Sequence, residues 1–192
     1  MTCIVGLVHN GVTYIGADSL ASNSYMKTVR KDKKVFKLKD TPSAVIGFTT
    51  SYRMGQLLMY ATGLINPKDK PINHEYIVKK FIPKVIELFE NGGFSKDHSG
   101  EKEGGTFLLG YKDKLFKIES DYQVSESIDN YMACGNGEAF ALGSLMTTEN
   151  TNLSPYKRIR LALQAASKFA IGVEPPFYIL NTKNDEVVEY KY

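Results

Sequence analysis

Two short apolar runs open the chain, residues 3–8 and 12–17, and Asn10-Gly11 separates them. Both central positions of a type I′ turn need positive φ, so Asn-Gly between such runs predicts a hairpin. A second strand pair is predicted at residues 35–38 and 44–49, around Lys39-Asp40-Thr41-Pro42. The period then changes. Met54, Leu57, Leu58, Ala61 and Leu64 recur at three and four residues, which predicts an amphipathic helix over residues 51–64. A further helical stripe runs through Ile77, Val78, Phe81, Ile82, Val85, Ile86 and Phe89, with Asn73 as its N-cap and Pro83 expected to kink it. Residues 91–105, rich in Gly and charge, predict an exposed, mobile loop.

Strands return at residues 106–111 and 115–119, joined by Lys112-Asp113-Lys114, and at 131–134, which ends in Gly135-Asn136-Gly137. A third helix is expected from there to about Met146. Ser154-Pro155 and Gly172 bracket a fourth, with Ile159, Leu163, Ala166 and Ala170 inward. Residues 177–181 and 186–190 form two last strands. Strands, two helices, strands, two helices, strands is not the alternation of a doubly wound sheet. It predicts an α+β fold with antiparallel sheets between helix layers.

At 192 residues the chain fits one domain, residues 1–192, with no internal repeat. Hydrophobic residues at 43% and charged residues at 23% describe an ordinary globular protein. A net charge of +3 gives little reason for a polyanionic partner. The seven basic residues within 27–39 read as a solvated strand edge, since no stacking aromatics accompany them, so no nucleic acid is expected. No apolar run reaches the ~18 residues of a membrane span, and no secretory signal opens the chain, so a cytoplasmic protein away from membranes is expected. Cys3 and Cys134 lack metal spacing and are too few for a disulfide framework. His9, His74 and His98 show no ligand spacing, and neither a metal nor a cofactor is expected.

The chemistry is at the start. If Met1 is removed, Thr2 presents a hydroxyl and a free α-amine on one residue, a nucleophile with its own base. The amine's reference pKa of about 7.7–8.0 suits a base at neutral pH. A lysine ammonium at ~4 Å and an effective dielectric of ~20 would repel its protonated form by about 4 kcal/mol, lowering that pKa. A carboxylate would keep such a lysine charged. Asp18 and Lys34 are candidates, each at the end of a predicted strand.

In order and spacing, TCIVGLVHNGVTYIGADSLAS, KKVFKL, AVIGFTT and ACGNGEAFALG resemble the β subunits of the proteasome, and most nearly the bacterial HslV peptidase. The resemblance covers most of the chain, least well the middle loop and residues 67–90. It implies an Ntn-hydrolase four-layer αββα sandwich. Thr2 becomes the nucleophile, Asp18 and Lys34 the supporting pair, with Lys33 fitting if the register slips by one. Thr50 falls where the family has a glycine whose N–H binds the oxyanion. Phe48 and Ser22 are implied in substrate binding, and Asn136 stands where the family has the serine of Gly-Ser-Gly. Cys3 replaces the second of the frequent paired threonines. Lys168 and Ile171 stand where archaeal and eukaryotic proteasomes carry an Asp and a Ser, a pair that HslV-like members also lack.

The implied function is an N-terminal-threonine peptidase cleaving polypeptide inside a homo-oligomeric ring, with an ATPase unfoldase as partner. Activity depends on loss of Met1, because an acylated α-nitrogen has no basic lone pair. Two alternatives stay open: a catalytically inactive assembly protein of the same fold, and an Ntn amidohydrolase acting on a small amide.

Overall fold

The computed structural model describes residues 1–23, 25–94, 96–98 and 101–191. In chain order, β1 (Ile4–His9), β2 (Val12–Ala17), β3 (Leu20–Ser22), β4 (Lys27–Val29), β5 (Val35–Leu38) and β6 (Thr41–Phe48) precede α1 (Tyr52–Tyr60), α2 (His74–Tyr76) and α3 (Ile82–Asn91). Then come β7 (Lys96–His98), β8 (Glu101–Glu103), β9 (Phe107–Tyr111), β10 (Lys114–Ile118), β11 (Val124–Ser125) and β12 (Tyr131–Cys134). Helices α4 (Glu138–Thr147) and α5 (Pro155–Phe169) lead to β13 (Phe177–Asn181) and β14 (Val187–Tyr190).

Two five-stranded sheets form, in the orders β12-β1-β2-β13-β14 and β11-β10-β9-β6-β5, with antiparallel pairing throughout. Three apolar clusters fill the spaces between four layers. Val5, Leu7 and Phe177 of the first sheet meet Ile159, Leu163 and Ala166 of α5. Ile4, Ile15, Val45, Leu108 and Leu180 lie between the sheets. Ile46, Phe107 and Leu109 of the second sheet meet Met54, Phe81 and Phe89. Because β1 is buried on both faces, it reads as a continuous apolar run instead of an alternating one. The sheets approach closely at Gly47, where an added Cβ would lie 2.5 Å from Ile4 Cγ2 and 2.8 Å from Ile15 Cγ2. This is the expected αββα sandwich. Among the described residues, no helix is long and apolar enough to cross a membrane.

The first hairpin turns as its sequence dictates: Asn10 and Gly11 both have positive φ, 49° and 75°, and His9 pairs with Val12. Asn73 caps its helix by accepting the Tyr76 N–H, and Ser154 caps α5 by accepting the Lys157 N–H. Several boundaries differ from expectation. Helix α1 stops at Tyr60, where the chain turns extended at Ala61 and left-handed at Gly63; Leu64 is buried outside the helix. Strand β6 starts at Thr41, and Pro42 sits exposed at a register shift, where its missing N–H leaves no ladder bond unmade. Around Pro83 the chain adopts a π-helical segment, Ile77–Phe81, before α3. Such widening removes the demand for the N–H that proline lacks.

Residues 91–105 contain the β7–β8 ribbon, which their composition gave no cause to expect; positions 95, 99 and 100 of the expected loop lie outside the described residues. The β3–β4 ribbon and β11 are further additions. In the basic run 27–39, the expected solvated edge has an exception, because Lys34 is buried.

Candidate active site

The site forms where strand ends of both sheets meet. Residue 2 leads into β1, and β2 pairs Ala17 with Ile4, which brings Asp18 opposite Cys3; the Asp18 N–H donates to the Cys3 carbonyl at 3.3 Å. Lys34 leads into β5, and its carbonyl accepts the N–H of Phe48, the last residue of β6, at 3.0 Å. The first sheet thus supplies Thr2 and Asp18, the second Lys34 and Phe48.

Lys34 is 1% exposed, Asp18 is sealed from solvent and Thr2 is 5% exposed. The Lys34 Nζ donates to Thr2 Oγ1 at 2.9 Å and to Asp18 Oδ1 and Oδ2 at 2.9 and 3.0 Å. The carboxylate also accepts the Cys3 N–H on Oδ1 and the Leu20 N–H on Oδ2, each at 3.0 Å. Burial pushes the Asp18 carboxyl up, opposed by Lys34 and these two amides, and burial pushes the Lys34 ammonium down, opposed by Asp18. Donors converging on both carboxylate oxygens favour the ion pair. Lys33 points elsewhere, its Nζ 4.7 Å from the Tyr178 ring centroid, so residue 34 and not 33 reaches Thr2.

Thr2 is held by glycines. Gly135 has φ +96°, and a Cβ there would lie 2.4 Å from the Thr2 carbonyl oxygen. Gly137 donates its N–H to that oxygen at 3.3 Å, and its own Cβ would fall 2.7 Å from the Cβ of Cys3. Between them Asn136 is exposed, with no hydrogen bond from its side chain to Thr2 among the described residues. Thr50 has φ +68°, the left-handed region that favours glycine, and its Oγ1 accepts the Thr106 N–H at 3.1 Å.

A cavity of about 100 Å³ opens beside Thr2, lined by Met1, Ser22, Lys34, Phe48, Thr50 and Tyr52. Tyr52 went unread in the sequence; as the first residue of α1 it adds nothing to the helical stripe that would single it out. Arg30 stacks on its ring at 3.9 Å, and Phe48 meets it edge-on at 5.6 Å. Met1 is half exposed: its carbonyl accepts the Thr2 hydroxyl at 2.5 Å, and its side chain lies over Gly172. Ile171 is 81% exposed, and Lys168 lies over the Phe169 ring. With Met1 attached, the Thr2 nitrogen is an amide; without it, hydroxyl and amine would share one residue beside a buried cation.

His9 bonds the Asn10 amide and His74 the Val124 carbonyl, while the side chain of His98 lies outside the described residues. No group of three or more His, Cys, Asp or Glu side chains suited to a metal gathers among the described residues.

No protein-family model matches the chain, and no curated protein is similar to it in sequence. Solved structures are. BPH from Thiobacillus denitrificans, in complex with epoxomicin, superposes with a TM-score of 0.74 at 17% identity, over 94% of this chain and 97% of its own. Eukaryotic HslV from Trypanosoma brucei does so with a TM-score of 0.66 at 16% identity, over 98% of this chain and 100% of its own. The chain has the HslV fold. The resemblance read from the sequence therefore holds for nearly the full chain at the level of architecture. At such identities the HslV fold fixes where strand ends meet, and the chemistry is argued from the side chains themselves.

Proposed function

We propose that the chain is an N-terminal-threonine peptidase that matures by losing Met1. The observation that carries this reading is the position of Lys34 Nζ, bound to Asp18 and to Thr2 Oγ1 within one buried cluster. After maturation the α-amine of Thr2 takes the hydroxyl proton as Oγ attacks the peptide carbonyl. The Thr50 N–H holds the oxyanion, the amine returns the proton to the leaving amine, and water releases the acyl group from Oγ. Lys34 keeps the amine's pKa low by its charge, and Asp18 keeps Lys34 charged. Ser22 and Phe48 line the substrate cleft, and Asn136 supports the amine from the Gly135–Gly137 turn. The HslV fold supports self-assembly into a ring that encloses these sites in the cytoplasm, fed with unfolded polypeptide by an ATPase. No cofactor takes part.

The exposure of Asn136 favours a second reading, a catalytically silent assembly subunit. Intact mass of untagged protein separates the two. Loss of Met1, with peptide cleavage abolished in Thr2→Ala, is the expected result; a mass retaining Met1, or unchanged cleavage by Thr2→Ala, overturns the peptidase. Epoxomicin, the ligand of the BPH complex, is expected to add to the mature protein and not to Thr2→Ala.

A further inference from the structure

Two polar atoms of the residues that line the cavity beside Thr2 are closed to solvent with no hydrogen-bond partner among the described residues: Ser22 Oγ and the phenol oxygen of Tyr52. Buried hydroxyls are rarely left unpaired in a folded chain, because each has given up its water for nothing in return. Two of them around one hollow call for a guest that supplies the missing partners.

The wall that carries the phenol is rigid. The Arg30 guanidinium stacks 3.9 Å from the Tyr52 ring centroid and is itself held by Asp32 through bonds of 2.7 and 2.6 Å. Phe48 meets the same ring edge-on, and it is wedged against α1, where a Cβ on Gly55 would fall 2.2 Å from Phe48 Cζ. Burial raises the Tyr52 phenol above its ordinary range, against the charge of Arg30, so the hydroxyl keeps its proton and can donate. The Met1 side chain lies over Gly172, so the walls made by Ser22, Phe48 and Tyr52 do not depend on it. At about 100 Å³ the hollow is far below the ~300–1,000 Å³ of a small-molecule pocket, and it has room for one short side chain. The charges around it cancel in pairs, Lys34 with Asp18 and Arg30 with Asp32. A charged guest would therefore be buried without a counter-ion.

We infer that Ser22 and Tyr52 select the residue whose carbonyl Thr2 attacks, and that the cleft takes a short, uncharged side chain able to donate and accept, of the asparagine or threonine kind. With that carbonyl between Thr2 Oγ and the Thr50 N–H, its side chain enters the hollow that the same residues line. An asparagine carboxamide accepts from one hydroxyl through its oxygen and donates to the other through its NH₂. Leucine would leave both hydroxyls dry and unpaired, and phenylalanine would meet a Tyr52 ring that Arg30 and Phe48 hold in place. The inference rests on the peptidase reading and narrows its substrate.

The test offers protein that has lost Met1 a set of peptides alike except for the residue before the scissile bond, which is Asn, Thr, Leu, Phe or Lys. Binding of the same peptides to Thr2→Ala is followed by calorimetry, which needs no chemistry. Cleavage after Asn and Thr is expected to exceed cleavage after Leu in kcat/KM by about tenfold or more, with Phe and Lys lower still, and binding should keep that order. Tyr52→Phe and Ser22→Ala each remove one hydroxyl and should shrink the ratio of Asn to Leu several-fold by lowering the asparagine value. A preference for Leu or Phe, or a ratio that neither variant moves, overturns the selection and leaves the peptidase standing. Binding in the expected order without cleavage of any peptide overturns the peptidase and keeps the pocket. Neither binding nor cleavage overturns both.

Discussion

Lys34 places its ammonium 2.9 Å from the hydroxyl oxygen of Thr2, across the boundary between the two sheets, in a position closed to solvent. Neither residue is near the other in sequence, and each is fixed by a different sheet.

Breaking this cluster from one side leaves the other side stranded. Lys34→Met leaves a buried carboxylate with two backbone donors, and the expected loss is about 3–5 kcal/mol in urea unfolding. Adding Asp18→Asn removes the stranded charge, so the double variant should recover part of the loss. A double variant with fully additive losses would refute the coupling.

If the proposed peptidase reading holds, the rate of the chain that has lost Met1 is expected to be bell-shaped in pH. The acid limb follows the α-amine, which must lose its proton to act as base. The alkaline limb follows Lys34: activity falls as pH rises through its pKa, which burial places below the ordinary lysine value of 10.5. Lys34→Arg, charged throughout, should abolish the alkaline limb even if the rate drops. A limb unmoved in that variant assigns it to another group.

Cys3 and Cys134 are buried, and burial raises both thiols well above their usual range. Only the thiolate reacts at a useful rate. Native protein at pH 8 should resist iodoacetamide and take up two labels in denaturant, counted by mass. Rapid labelling of native Cys3 would show that the segment around Thr2 opens.

Gly135→Ala should do more harm than Asn136→Ala. The first sets a Cβ against the Thr2 carbonyl at positive φ, costing about 1–3 kcal/mol in strain and displacing Thr2. The second alters an exposed side chain, with a change under about 0.5 kcal/mol. If Asn136→Ala nevertheless lowers the rate at unchanged stability, its proposed contact with the amine is made only after Met1 leaves.

Those elements whose signals are local were legible in the sequence: the Asn10-Gly11 hairpin, the Asn73 and Ser154 caps and the strands at 131–134 and 177–181. The cluster was legible because strand ends carry its members, so pairing β1 with β2 dictates Asp18 beside Cys3. Tyr52 and the β3–β4 ribbon were not, since cross-sheet stacking and short exposed strands leave no periodicity behind. Helix α1 was read too long because Leu64 keeps the helical spacing while a turn buries it.

The division of the cluster between sheets makes the site a readout of closure. A half-folded chain with either sheet formed alone holds only part of the constellation. A nascent copy whose sheets have not yet met therefore lacks the cluster, and the chemistry proposed for it waits for the two halves to close.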